Sequence, residues 1–205
     1  YVSGTLDCGL LYRKGGILQL HGNRNADWAG DAIDRRSTSG FMFHLKSVAI
    51  LWSSKKQPAV ALSSTESEYR AAAVATCEAI WLKRLLKDPQ VTVSEAIDVH
   101  CDNLNNIQLG KNPIFHARTK HIRVHYHFAQ ERVLRGEVVV RHLRTDQQVA
   151  DIFTKSLGLD KLRHFSEMLG LWPLDVPSLR GSEHKEECKR KGRRSKLPLL
   201  AETTA

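Results

Sequence analysis

The sequence predicts an α/β domain, and three observations carry that reading. Residues from about 65 to 87 have the start signal, stop signal and apolar spacing of one long helix. Two short apolar runs, Gly40 to Leu45 and Val48 to Ser53, are separated by Lys46-Ser47, the pattern of an antiparallel hairpin. A further strand, Ala96 to Cys101, follows the helix, and a strand, helix, strand succession implies a crossover and a parallel pairing.

Taken in order, Tyr1 to Gly16 begins without Met and reads as the end of something larger. Ile17 to His21 alternates weakly and is the first strand candidate. It runs into Gly22-Asn23-Arg24-Asn25-Ala26-Asp27-Trp28-Ala29-Gly30-Asp31, where side-chain oxygens crowd a turn at a strand end. In the long helix, Ser63 with Glu66 and Thr65 with Glu68 are overlapping capping boxes, and Asp88-Pro89 is the stop. Small residues at 71, 72 and 75, then Leu82 and Leu86, form the stripe that packs. If Glu66 serves the cap, Glu68 is left at the buried edge, where a carboxylate needs a charged or metal partner. The alternative is that both glutamates only complement the helix N-terminus. Beyond the fourth strand, Asn103 to Gly110 predicts a short helix and His116 to Arg135 a longer one ended by Gly136. Glu137 to His142 is a fifth strand, Asp146 to Lys155 a helix carrying Asp151, and Leu157 to Leu171 a last helix. Pro173, Pro177 and a charged run signal departure from the fold.

Composition narrows the function classes. With 41% hydrophobic and 26% charged residues, and no apolar run near the ~20 residues of a membrane span, no membrane role is expected. Cys8, Cys77, Cys101 and Cys188 form no C-x-x-C pair, so neither a disulfide framework nor a cysteine zinc site is favoured. Without a secretion signal, a reducing, cytoplasmic or nuclear setting is expected. The formal charge of +9 points to a polyanionic partner, but residues 181 to 196 hold seven Lys/Arg against three Glu, a net of +4. That run reads as a solvated tail.

Three acids stand in comparable positions: Glu68 early in a helix, Asp102 at the C-terminal end of a strand, and Asp151 in a late helix. Ligand sites of α/β sheets gather beyond strand carboxyl ends, so the three are expected on one side of the sheet. Clustered carboxylates repel unless divalent cations neutralise them, which makes Mg²⁺ or Mn²⁺ the natural occupant. Two such ions would serve phosphodiester hydrolysis.

The succession Asn25-Ala26-Asp27-Trp28-Ala29-Gly30-Asp31, Arg35-Arg36-Ser37-Thr38-Ser39-Gly40, Trp52-Ser53-Ser54-Lys55-Lys56-Gln57-Pro58, Ser63 to Tyr69, Cys101-Asp102-Asn103, His116 to Ile122 and Ala150-Asp151-Ile152-Phe153-Thr154-Lys155 resembles the ribonuclease H domain of copia-type LTR retrotransposon Pol polyproteins. The resemblance covers about residues 1 to 171. It implies an RNase H-like fold, a mixed five-stranded sheet flanked by helices, and cleavage of the RNA strand of an RNA-DNA hybrid by two divalent metals. It also implies a reverse transcriptase partner in the parent polyprotein, with action in a cytoplasmic virus-like particle or the nucleus. Residues 1–16 then end the connection from reverse transcriptase, 17–157 form the RNase H-like domain, 158–172 a helix packing on it, and 173–205 a basic, disordered tail.

By the same resemblance Glu68, Asp102 and Asp151 are catalytic and metal-binding, and His142 assists product release or proton transfer. The family's first-strand aspartate is Asn25 here. An amide keeps an acceptor oxygen but loses the charge that bridges two cations. Asp27, two residues along, shares the strand face if the strand persists and then offers partial rescue. The expected activity is therefore weakened. Its rivals are a non-catalytic nucleic-acid-binding remnant and another two-metal nuclease of the same fold. Lys55, Lys56, Arg118, Lys120 and Arg123 are the candidates for phosphate contacts. Zinc at His116, His121, His125 and His127 is not favoured, because no cysteine pair or carboxylate completes the set. Trp28 and Trp52 read as core rather than as base-stacking platforms.

Overall fold

A computed structural model describes residues 7–12, 18–88, 96–103 and 120–174, with the backbone alone for 120–126. The chain divides into two compact units, one of Leu10–Trp172 and one of Tyr1–Gly9 with Pro173–Ala205. In the smaller unit the Leu174 amide donates to the Asp7 carbonyl.

The strands are β1 (Cys8–Leu10), β2 (Leu20–Ala26), β3 (Thr38–Leu45), β4 (Val48–Lys56), β5 (Ile97–Cys101), β6 (Val138–His142) and β7 (Leu171–Pro173). β2 to β6 form one mixed sheet in the order β4-β3-β2-β5-β6. β3 is antiparallel to both β2 and β4, and β5 is parallel to both β2 and β6. The β3–β4 hairpin turns through Lys46, whose φ of 67° lies in the left-handed region. The register passes from Phe43 opposite Leu51 to His44 opposite Ala49, so Ile50 is a bulge.

β3 is apolar on both faces because both are covered. Phe41 and Phe43 join Leu20, Ile97, Val99 and Val138 beneath Ala75, Ala79, Ile80 and Leu82 of α1 (Ser64–Lys87), with Val133 of α2 (Lys120–Leu134) alongside. Met42 and Ala49 face the other way, into Val149, Phe165 and Leu169, the last two from α3 (Leu159–Met168) and its end. Gly22 lets the Phe43 ring lie across β2, since a Cβ there would stand 2.5 Å from its Cε1. On the second face His44 is buried, its ring stacked on His21 at 5.0 Å. His44 Nε2 lies 3.0 Å from the Met168 carbonyl, and its Nδ1 has no partner among the described residues.

α1 starts as its sequence predicts, with the Glu66 amide donating to the Ser63 hydroxyl. Glu66 reaches back to the Leu62 amide rather than to Ser63 and pairs with Arg70. α2 ends at a left-handed Gly136, φ 69°. Two expectations are corrected. The first strand is not followed by a turn at Gly22; β2 runs on to Ala26, because each polar side chain in it finds a buried partner. The late helix is instead two 3₁₀ turns, Thr145–Gln147 and Val149–Phe153. Gln148 breaks it: its backbone leaves helical geometry at ψ 89°, while its buried side chain donates to the Arg24 carbonyl and accepts from Asn23. The short helix expected over 103–110 lies outside the described residues, apart from Asn103.

Candidate functional site

Alternation along β2 sends neighbouring side chains to opposite faces of the sheet. Arg24 points to the α1 face and meets Glu68. Asn23 and Asn25 point to the second face, where Asn25 Nδ2 donates to Asp151 Oδ1 and to Thr154 Oγ1, each at 2.8 Å. Glu68 and Asp151 therefore approach the end of β2 from opposite faces, and the expectation that the three acids share one side of the sheet is corrected. The 3₁₀ turn carrying Asp151 comes this close because residue 40 is glycine. A Cβ there would stand 2.7 Å from Thr154 Cγ2 and 2.8 Å from Phe153 Cβ.

A cleft of about 540 Å³ opens at the C-terminal ends of β2 and β5. Asn25, Asp27, Glu68, Asp102, Asn103 and Lys155 are among its walls. Asp151 is fully buried behind Asn25, and its Oδ2 accepts from Lys155 at 2.9 Å and Lys161 at 3.0 Å. Glu68 accepts from Arg24 Nη1 at 3.0 Å through Oε2 and from the Ala26 amide at 3.1 Å through Oε1. Burial, then the Asp102 charge, push its carboxyl above the usual range, against the pull of Arg24 and the Ala26 amide. Burial likewise raises the Cys101 thiol beside them.

Asp27 does not carry on from Asn25. β2 ends at Ala26, and the Asp27 carboxylate turns to accept from the Thr38 amide, closing the loop between β2 and β3. Burial raises its carboxyl as well. His142 stands opposite Cys101 at the end of β6, exposed and off the cleft walls. Of the phosphate candidates, Lys55 is exposed at the end of β4, whereas Lys56 is held by Asp31 and Asp34. Lys120 and Arg123 lie in the first turn of α2, their side chains outside the described residues, as is all of Arg118. Trp28 and Trp52 are 55% and 50% exposed, which corrects their reading as core. Trp28 instead hydrogen-bonds through Nε1 to the Ala61 carbonyl.

Sequence reasoning missed Arg24, Lys155 and Lys161. Two signals were present: Arg24 is the alternate-face neighbour of Asn25, and Lys155 follows Asp151 by four residues. Lys161 has no local signal.

The two expected divalent ions do not fit the side chains as they stand. Glu68 and Asp151 are met by three cations, and every oxygen of both carboxylates already accepts a hydrogen bond. Among the described residues no group of three or more His, Cys, Asp or Glu is placed to hold a metal ion.

No family model matches the chain. It is 42% identical over 171 residues to the retrovirus-related Pol polyprotein from transposon RE2 of Arabidopsis thaliana, covering 83% of this chain and 12% of that protein. It is 41% identical over 172 residues to the corresponding polyprotein from transposon TNT 1-94 of Nicotiana tabacum, covering 83% and 13%. The chain thus spans about an eighth of the length of these relatives. Among solved structures, LC11-RNase H1 isolated from compost matches with a TM-score of 0.51 at 13% identity, over 67% of this chain and 94% of that one. At that identity the likeness shows the fold.

Proposed function

Since the chain is homologous to one segment of the retrovirus-related Pol polyproteins of copia-type transposons and carries the ribonuclease H fold, we propose that it is the hybrid-binding ribonuclease H domain of such a polyprotein, with hydrolysis weak or absent. The observation that carries this reading is the Asn25 amide, which donates a hydrogen to Asp151 Oδ1 where a second carboxylate would repel it. Enzymes of this fold generally work with divalent metal, and an amide in this place removes one full charge from such a site. In the proposal the cleft receives the nucleic-acid backbone, with Lys55 at the end of β4 and Lys120 and Arg123 of α2 as phosphate contacts that supply affinity without sequence preference. The parent polyprotein's reverse transcriptase would supply the hybrid, in a cytoplasmic particle or the nucleus.

The test is cleavage of a labelled RNA-DNA hybrid in Mg²⁺ and in Mn²⁺, by the wild type and by Asn25→Asp. Wild type is expected to bind hybrid and cut it slowly or not at all, and Asn25→Asp to raise hydrolysis at least about tenfold, or ~1.4 kcal/mol in the barrier. An all-DNA duplex should stay intact throughout, since the reading requires the ribose 2′-OH. Equal cleavage by wild type and Asn25→Asp would refute the role given to position 25.

A further inference from the structure

Arg24 is the least expected group behind the cleft wall. It is 2% exposed in the middle of the domain, yet no water-facing route is needed to account for its charge, because Glu68 lies against it. Its Nη1 donates both to the Glu68 carboxylate at 3.0 Å and to the Glu68 backbone carbonyl at 3.2 Å, so the guanidinium is tied to the first turns of α1 at two points. A guanidinium keeps its proton at any pH at which a protein folds, so this positive charge is permanent. A buried ion pair of this kind is mutually obligatory, since either partner alone would be an uncompensated charge. A divalent cation at Glu68 would need an oxygen within about 2.1 Å and would stand beside that guanidinium, with like charges in contact.

Asn25, the next residue of the strand, does the same on the other face. Its amide serves Asp151 Oδ1 while Lys155 and Lys161 serve Oδ2. Arg24 on one face, and Lys155 and Lys161 with the Asn25 hydrogen bond on the other, thus supply the neutralisation that bound ions would otherwise give. We propose that Arg24 takes the place of a divalent cation at Glu68, so that the cleft keeps its shape with no metal bound and accepts nucleic acid independently of metal. Only the second half of this statement rests on the hybrid-binding reading.

The experiment uses the full chain and Mn²⁺ as the probe, read by titration calorimetry and by melting temperature. Wild type is expected to bind no Mn²⁺ tighter than millimolar and to melt less than about 3 °C above its metal-free value in 10 mM Mn²⁺. Arg24→Gln/Asn25→Asp is expected to gain a site. If its Kd is near 0.1 mM, the same Mn²⁺ raises its melting temperature by about 5 to 10 °C. Sub-millimolar Mn²⁺ binding by the wild type overturns the proposal whether or not the variant folds, and so does a folded variant that gains no affinity. Hybrid affinity is measured in parallel in EDTA and in Mg²⁺, where agreement within about twofold is expected and a tenfold gain with Mg²⁺ would overturn the metal-independence. Failure to bind hybrid in either buffer would sink the hybrid-binding reading instead, and the Mn²⁺ titration would still decide the role of Arg24.

Discussion

Acidification should weaken this fold through one imidazole. His44 is buried on the second face of the sheet, and removal from water, followed by repulsion from His21, holds its pKa at about 4, against 6.5 for a solvated imidazole. The geometry agrees: with Nε2–H donated to the Met168 carbonyl, a proton added at Nδ1 has no acceptor among the described residues. The unfolded chain therefore takes up a proton below about pH 6.5, while the folded one does so only below about 4. Stability is complete above that window and falls as the pH drops through it. Between pH 7.5 and 5.0 the loss from this site is about 2 kcal/mol, or roughly 4 to 8 °C in melting temperature for a domain of this size. His44→Phe removes the titrating group, at a cost near neutrality of about 1 kcal/mol for the hydrogen bond to Met168. Urea melts of both proteins at pH 7.5 and 5.0 give the comparison. His21, whose pKa burial also lowers, remains in both. A variant with the same pH dependence as wild type, within about 0.5 kcal/mol, would show that His44 is not the group responsible.

Gly40→Ala places a methyl group against Thr154, Phe153 and the Ala150 carbonyl, so it should cost about 1 to 3 kcal/mol in chemical denaturation; an unchanged midpoint would mean the 3₁₀ turn is not pressed on β3. Asp27→Asn keeps an acceptor for the Thr38 amide and should leave stability, and any residual cleavage, within about twofold; loss of all cleavage would make Asp27 a working ligand in place of Asn25. Truncation after Trp172 should keep hybrid binding but flatten its salt dependence, and complete loss of binding would make the basic tail the true nucleic-acid element.

Local signals in the sequence carried much of the architecture. The Ser63 cap, the Lys46-Ser47 turn and the strand, helix, strand succession each act within a few residues, and all three appear where they were expected. What stayed hidden depends on partners far away in the chain. Asn23, Arg24 and Asn25 look like turn residues until Gln148, Glu68 and Asp151 are set beside them, 125, 44 and 126 positions later. The same holds for Gln148, whose side chain is drawn to the Arg24 carbonyl and so interrupts a helix that its neighbours favour. Trp28 and Trp52 misled for a different reason: size and aromaticity argue for burial, but a ring at the rim can keep half its surface in water and still use its indole N–H.

The lysine that completes the Asp151 pocket, Lys161, belongs to the final helix of the domain, as does Phe165, and the other side chains that close the second face, Val149 and Leu169 among them, also lie late in the chain. Synthesis on the ribosome therefore delivers β2 long before the groups that satisfy it. Until those groups emerge, its amide side chains wait on a bare sheet surface, and the hairpin beside them offers an apolar face to any neighbour. A chain broken off between residues 143 and 150 would have all five strands of the central sheet and that surface uncovered, a substrate for chaperones or for clumping rather than a smaller working domain.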